Sequence, residues 1–186
     1  MAQPATEPLT RQHAREAFGC GRPELDRYLR RQARKEQEQG VAVCWVLPDP
    51  QQPTLIRGYY TVSTYSVRLV DLPDDLKRRL PKYHDMPAAL LGRLAVDSRY
   101  QRQGLGEHLL LDAMKRVLEA SRTLGTLVLV VDAKDEEAGR FYAKYGFVPF
   151  PTQPLRLFLP VKTIAQLFPA GEEDRIPQQV GAAQAP

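Results

Sequence analysis

The sequence predicts one mixed α/β domain. Three observations carry that expectation. Strand and helix patterns alternate from residue 90 to residue 161. The half before them is β-rich and reads as antiparallel. The run LVLVVDA (127–133) is apolar without interruption, as in a strand covered on both faces. Strands separated by helices in this order form a mixed sheet with helices packed on it. The chain of 186 residues suits one sizeable core. The domain is expected over 9–168. A flexible N-terminus (1–8) without periodicity precedes it. A tail (169–186), PAGEEDRIPQQVGAAQAP, follows; it lacks aromatic residues and regular apolar spacing, which predicts disorder.

Each element has its own local reason. Pro23 suits the first turn of a helix running to about Gln39, and Gly40 ends it. Leu25, Leu29 and Ala33 recur at helical spacing and should face the core, with Arg27, Arg30, Arg31 and Arg34 on the other side. VAVCWVL (41–47) reads as a buried strand. TLIRGYYTVSTYSVRLV (54–70) alternates and is rich in β-branched and aromatic residues, as in one long strand or a bulged one. A short helix is expected between the prolines of LPDDLKRRLPKY. LLGRLAVD (90–97) is a strand. In GLGEHLLLDAMKRVLEASRTLG (104–125) apolar residues fall at 105, 109, 110, 113, 114, 117 and 118, close to the helical period of about 3.6. DEEAGRFYAKYG (135–146) is a helix with an acidic start and a glycine stop. LRLFLPV (155–161) is the last strand.

Composition narrows the function classes. No apolar run approaches the ~20 residues that span a bilayer, and MAQPATEPLTRQHAREAF has no apolar centre, so neither a membrane span nor a secretory signal is expected. Cys20 and Cys44 read as buried or half-buried thiols of a cytoplasmic protein. His13, His84 and His108 are scattered without metal-ligand spacing, and no metal is expected. The formal net charge is +4. Six basic residues against two acidic ones lie between Arg22 and Lys35, so one segment carries an excess equal to that of the whole chain.

RQGLG (102–106) stands at a strand-to-helix junction. A helix start leaves backbone N–H groups without internal partners, and the helix dipole adds partial positive charge. Together they receive a phosphate-type anion. Glycines let the loop turn sharply and let the anion approach. Gln101, Arg102 and Gln103 extend the donor set. No Lys-Ser/Thr follows Gly106, as a Walker loop requires, and Leu109 stands where a dinucleotide fingerprint needs a third glycine. Two glycines before a helix also serve as a plain tight turn.

The segment GRLAVDSRYQRQGLGEHLL resembles motif A of the GNAT acetyltransferase superfamily, through Gln101, Gly104 and Gly106. DEEAGRFYAKYGF resembles the family's second segment, with Asp135 where the family usually has Asn. The resemblance implies a mixed central sheet splayed at the cofactor strand. It implies that Gln101, Arg102, Gln103, Gly104, Leu105, Gly106 and Glu107 cradle the pyrophosphate of acetyl-coenzyme A. Leu94, Ala95 and Val96 would run beside its pantetheine arm, and Asp135 would lie near it. Tyr142 would face the coenzyme sulfur as the acid; a phenol with a reference pKa near ~10 is protonated at neutral pH. A core tyrosine on a helix beside Phe141 is the plainer alternative. Glu107, in the first helical turn, reads equally as a dipole residue.

FGCGRPELDRYLRRQARKEQEQG resembles the N-terminal signature of the toxin acetyltransferases of type II toxin–antitoxin pairs, through Phe18, Cys20, Gly21, Leu25, Tyr28 and Leu29. That resemblance implies acetylation of the α-amine of aminoacyl-tRNA, a ribbon–helix–helix antitoxin as partner, and a homodimer. Arg27, Arg30, Arg31, Arg34, Lys35 and Arg93 would meet the tRNA, or else form a solvated helix face and a structural ion pair. Two alternatives stay open: a GNAT transferase for a small amine or a protein N-terminus, and a coenzyme- or RNA-binding module without turnover.

Overall fold

The computed structural model describes residues 5–168. Its elements in chain order are β1 (Glu7–Pro8), α1 (Pro23–Arg31), α2 (Ala33–Glu38), β2 (Val43–Pro48), β3 (Ile56–Arg68), α3 (Asp74–Lys77), β4 (Asp85–Val96), α4 (Leu105–Ser121), β5 (Val128–Asp132), α5 (Glu136–Ala143), β6 (Val148–Phe150), β7 (Gln153–Pro160) and α6 (Val161–Leu167). The strands form one 7-stranded sheet in the order β1-β2-β3-β4-β5-β7-β6. Only β4 and β5 pair in parallel; every other neighbour is antiparallel. The mixed sheet with flanking helices agrees with the expectation from strand and helix order.

β4 sets the geometry of everything around it. It pairs with β3 along its whole length, from Asp85 opposite Arg68 to Val96 opposite Gly58. Thr61 lies opposite Arg93 and Val62 opposite Leu91, so Gly92 is an extra residue, a β-bulge. On its other side β4 pairs with β5 only from Ala88 to Leu91. Beyond Leu91 the two parallel strands part. The sheet therefore splays at the bulge.

One face of the sheet is covered by α4, whose Leu109, Leu110, Ala113 and Met114 are fully buried against Leu91, Leu129, Val131, Leu157 and Leu159. The other face carries two patches. α1 and α2 lay Tyr28, Leu29 and Ala33 on Cys44, Val46, Tyr59 and Ala95. The residues before and within α3 close over Val67, Met86, Ala88, Val130 and Phe158. Both cysteines are buried free thiols. α4 comes so close to β3 at Gly58 that an added Cβ would meet Leu109 Cδ1 at 2.7 Å and the Ala95 carbonyl at 3.0 Å.

Several elements depart from the sequence expectation. The helix expected over 23–39 is two helices. Arg15 Nη1 donates to the Arg30 carbonyl at 2.6 Å. That is the acceptor an unbroken helix would offer to the Arg34 N–H, so a side chain inserted into the ladder divides it at Gln32. β4 begins at Asp85, earlier than the expected 90, where Pro87 interrupts the strand signal in the sequence; Pro87 sits just before the β5 ladder, and its carbonyl accepts from Leu127 N–H at 2.8 Å. β1, β6 and α6 were not foreseen. The first residues of the expected loose end at 1–8 lie outside the described residues, but Thr6 to Pro8 belong to the fold. Glu7 and Pro8 pair with Val46 and Trp45. Thr6 donates to Asp112 at 2.6 Å, Tyr60 donates to the same carboxylate, and Arg116 binds it from one turn along α4 while lying 3.3 Å over the Trp45 ring. The tail expected at 169–186 lies outside the described residues.

Gly58→Ala is expected to destabilise the fold by about 1–3 kcal/mol, because the Ala95 carbonyl belongs to the sheet and cannot yield as a side-chain tip can. A fall in the urea midpoint at unchanged slope checks it; an unchanged midpoint would show that α4 and β4 have slack there.

Candidate active site

The fork between β4 and β5 is where the sequence-predicted residues meet. Past the bulge, main-chain groups of β4 alternate in direction. Asp97 N–H bonds the Arg57 carbonyl at 2.9 Å, so Ala95 and Arg93 likewise turn their main chains to β3. Leu94 and Val96 then turn theirs to the side that β5 has left, where the Val96 carbonyl is taken by the Gln101 side chain. Their side chains join the α4 side of the core, while Ala95 is buried in the α1 side.

The loop after β4 closes one end of this gap. Arg102 (φ +60) and Gly104 (φ +78) both adopt the left-handed region. For Arg102 that conformation carries a strain of order 1–3 kcal/mol, of the kind that clusters at ligand sites. Gly104 is the residue before α4, and no side chain caps the helix. The first intrahelical bond runs from His108 N–H to the Gly104 carbonyl at 3.0 Å. The N–H groups of Leu105, Gly106 and Glu107 in the turn before it have no helical acceptor. A Cβ on Gly106 would point between Val96 and Phe141, 4.0 Å from each. Its absence keeps the path from the helix start to the gap open. Gln103 and Glu107 are exposed beside it.

Gln101 behaves differently from expectation. Its side-chain Nε2 donates to the carbonyls of Cys20 and Val96, both at 3.0 Å, so its amide protons are engaged within the protein rather than offered to an anion. It joins the segment before α1 to the end of β4. Asp97 strengthens that joint. The carboxylate is buried and accepts from Gly19 N–H, from Arg99 N–H and from the Arg99 guanidinium. Burial alone would raise its pKa, but these donors outweigh it and hold the carboxyl below the usual range. Sequence reasoning passed over Asp97; its signal was a lone acid at the end of an apolar strand.

α5 supplies the far wall. Asp135 is its N-cap, accepting from Ala138 N–H at 2.8 Å, and that bond leads in keeping its carboxyl pKa low. Its role here is to start the helix, and it also stands 3.8 Å from Arg22 at the start of α1. Helical spacing turns Ala138, Phe141, Tyr142 and Tyr145 to the core side. The Tyr142 ring packs between Phe141 and Phe147, with centroids 5.2 and 5.6 Å away. Burial pushes its phenol up to about 12. Among the described residues its hydroxyl has no hydrogen-bond partner. It is therefore a proton-bearing group with a free direction. Tyr145 instead faces Glu107.

The basic residues separate into two groups. Arg27, Arg31 and Lys35 are exposed on the outer face of α1 and α2. Arg30 is half-buried and donates to the Phe18 carbonyl, and Arg34 pairs with Glu38 at 3.5 Å. Arg93 lies 3.5 Å over the Tyr28 ring, on the face opposite α4 and Tyr142. No cluster of His, Cys, Asp and Glu among the described residues could hold a metal ion.

Comparison with known proteins agrees with this geometry. A family profile described as an acetyltransferase (GNAT) domain matches residues 67–149. The chain is 38% identical over 152 residues to a "tRNA-acetylating toxin" of Mycobacterium tuberculosis, spanning 82% of this chain and 89% of the relative. It is 32% identical over 170 residues to a "probable toxin TacT" of Sinorhizobium fredii, spanning 87% and 93%. Among solved structures, AtaT complexed with acetyl-methionyl-tRNAfMet superposes with a TM-score of 0.82 at 30% identity over 88% of this chain and 98% of that one. AtaTR bound with AcCoA superposes at 0.77 and 31% identity over 88% and 97%. A mutant AtaT toxin bound to the C-terminus of the antitoxin AtaR superposes at 0.76 and 28% identity over 89% and 98%. On these likenesses the chain belongs to the GNAT acetyltransferase family, alongside its toxin members.

Proposed function

We propose that this acetyltransferase moves the acetyl group of acetyl-coenzyme A to the α-amine of an aminoacyl-tRNA, and that it acts as a translation-blocking toxin restrained by a ribbon–helix–helix antitoxin. The observation that carries the reading is the fork itself: β5 leaves β4 after Leu91, the uncapped start of α4 stands beside the freed edge, and a Cβ at Gly106 would lie 4.0 Å from Val96 and from Phe141, the neighbour of Tyr142 on α5. The donor's shape fits these residues. An anionic diphosphate suits the N–H groups of Leu105, Gly106 and Glu107, with Arg102 and Gln103 at the rim. An amide-bearing arm suits the strand edge that β5 leaves at Leu94 and at the Val96 N–H. The coenzyme supplies an acyl carbon already activated as a thioester.

Tyr142 holds its proton on Oη throughout the neutral range, the state required of an acid beside a leaving thiolate. Glu107, the carboxylate of the loop helix, faces Tyr145. A nucleophile that needs little help is therefore favoured. An α-amine has a reference pKa of ~7.7–8.0 and a lysine amine ~10.4, so the first is far more often neutral at physiological pH. Arg27, Arg31 and Lys35 offer charge to a phosphate backbone on the face of the sheet opposite α4. The named substrates and partners of the relatives support the same choice. A cytoplasmic homodimer belongs to this reading; the β6 edge, with Val148 exposed, is a free pairing edge of the sheet.

Tyr142→Phe is expected to lower kcat by about 100-fold or more while acetyl-coenzyme A affinity, read by calorimetry, stays nearly intact. Gly106→Val should do the reverse, because its branched side chain enters the gap beside Val96 and Phe141. Equal losses of binding in both variants would contradict this division of labour. With aminoacyl-tRNA as acceptor, the rate should rise as the amine deprotonates through about pH 8 and then hold level to about pH 10, since Tyr142 keeps its proton there. A decline in that plateau that Tyr142→Phe abolishes would show a lower phenol pKa than burial implies. Charge reversal at Arg27 and Arg31 should raise the KM for tRNA and flatten its salt dependence while leaving the coenzyme KM alone. An unmoved tRNA KM would leave α1 a solvated face.

A further inference from the structure

The fork has two arms. One is β4 past Leu91 with the loop that leads to α4; the other is β5 with α5. At the start of α4 the arms meet through packing. Val96 and Phe141 both stand 4.0 Å from where a Cβ on Gly106 would lie, and Glu107 faces Tyr145. A second closure comes from the segment before α1. Gly19 N–H donates to Asp97 at 3.0 Å, and Ser98 N–H donates to the Gly19 carbonyl at 2.8 Å. Gln101 donates to the Cys20 carbonyl at 3.0 Å, which ties the segment to the first arm. Gly21 (φ +82) makes the turn into α1. Arg22 follows, and its Nη2 lies 3.8 Å from Asp135 Oδ2 at the start of α5. The segment thus begins on one arm, and its guanidinium ends on the other. Among the ion pairs of the described residues, this is the one that joins the two arms.

Both partners suit a contact that opens and closes. Their side chains are 45% and 41% exposed, and 3.8 Å exceeds hydrogen-bond length, so the pair is weak and screened by salt. Neither charge is needed by its own helix. Arg22 precedes α1 without a side-chain cap bond. Asp135 caps α5 by accepting from Ala138 N–H, a task that asparagine performs equally well. The family it resembles usually has that asparagine. The carboxylate charge is thus an addition of this chain, and Lys134 of the same arm shares it at 3.5 Å. The Ala138 bond, and after it Lys134 and Arg22, keep Asp135 ionised.

Resting on the coenzyme's place in the fork proposed above, we infer that Arg22 and Asp135 form an ionic latch across the donor gap, which opens to let acetyl-coenzyme A in and out. Both are positioning residues and touch no reacting atom. They hold the arms at one spacing while the donor is in place. A latch that is closed in the free and in the loaded protein slows entry and exit alike. Its loss therefore speeds both rates and leaves their ratio, the affinity, where it was. A cation that bound the coenzyme's phosphates directly would change that ratio instead.

The test is the association and dissociation of radiolabelled acetyl-coenzyme A, followed by rapid filtration on the full chain. The variants are Arg22→Gln, Asp135→Asn and the two combined. Each single change is expected to raise both rate constants about two- to fivefold, the size of one half-exposed ion pair, with the dissociation constant within about twofold. The double variant should match either single one, because one contact is lost once. Added salt should quicken exchange in the wild type more than in the variants. Long-range charge alone predicts opposite signs: Arg22→Gln would weaken binding of the anionic coenzyme and Asp135→Asn would tighten it. That pattern overturns the latch. So does an Asp135→Asn variant with wild-type rates, which would leave Asp135 a helix cap and nothing more. If Gly106→Val binds the coenzyme as tightly as the wild type does, the coenzyme's place in the fork and the latch fall together. If Gly106→Val weakens binding while the latch variants keep wild-type rates, the latch alone falls.

Discussion

β4 is held by β3 over its full length and by β5 over only its first part, and the rest of the molecule follows from that inequality. The hydrogen bonds to β3 keep the second half of β4 extended when its other neighbour leaves. Gly92 absorbs the extra residue that lets Leu91 and Leu94 both face α4 across the bulge. Without β3 as a rail, a strand with a free edge would collapse onto β5 and the gap would close. With it, unpaired main-chain groups stand in a sheet interior, an arrangement that a bare fold would avoid because buried polar groups without partners are costly.

The two faces of the sheet carry different chemistry. On one, α4 and α5 supply an uncapped helix start and a proton-bearing phenol among aromatic rings. On the other, α1, Arg93 and the Asp132–Arg156 pair make a charged surface. A reaction between a thioester and an amine gains from this separation. In the proposed reaction the donor would meet dipoles and main chain on the first face and the acceptor side-chain charge on the second, so neither set of contacts would have to accommodate the other partner.

Much of this was legible in the residues. The α4 stripe, the fully apolar β5 and the RQGLG turn each depend on local period or local backbone freedom, and such signals survive in one dimension. The sheet's mixed character followed from order alone. Other features depend on contacts far apart in the chain. The break at Gln32 comes from Arg15, which no window around the helix contains. The ordering of Thr6 to Pro8 comes from Asp112 and Arg116 on α4. Asp135 reads as a ligand position by resemblance and is a helix cap by geometry. Arg30 reads as a solvated charge from helical spacing, but its length lets it turn back to the Phe18 carbonyl. Asp132 closes an apolar run and looks like mere punctuation until the strands are seen to part beside it.

Gln101 shows how a motif letter can mislead. Both protons of its amide are committed to carbonyls of two distant segments, at Cys20 and Val96. A glutamate of the same shape would set oxygen against oxygen there. The segment that leads into α1 and the end of β4 therefore move as one piece. A shift in the path of that segment would be transmitted through one amide to the free end of β4, and a shift of the strand end would be transmitted back.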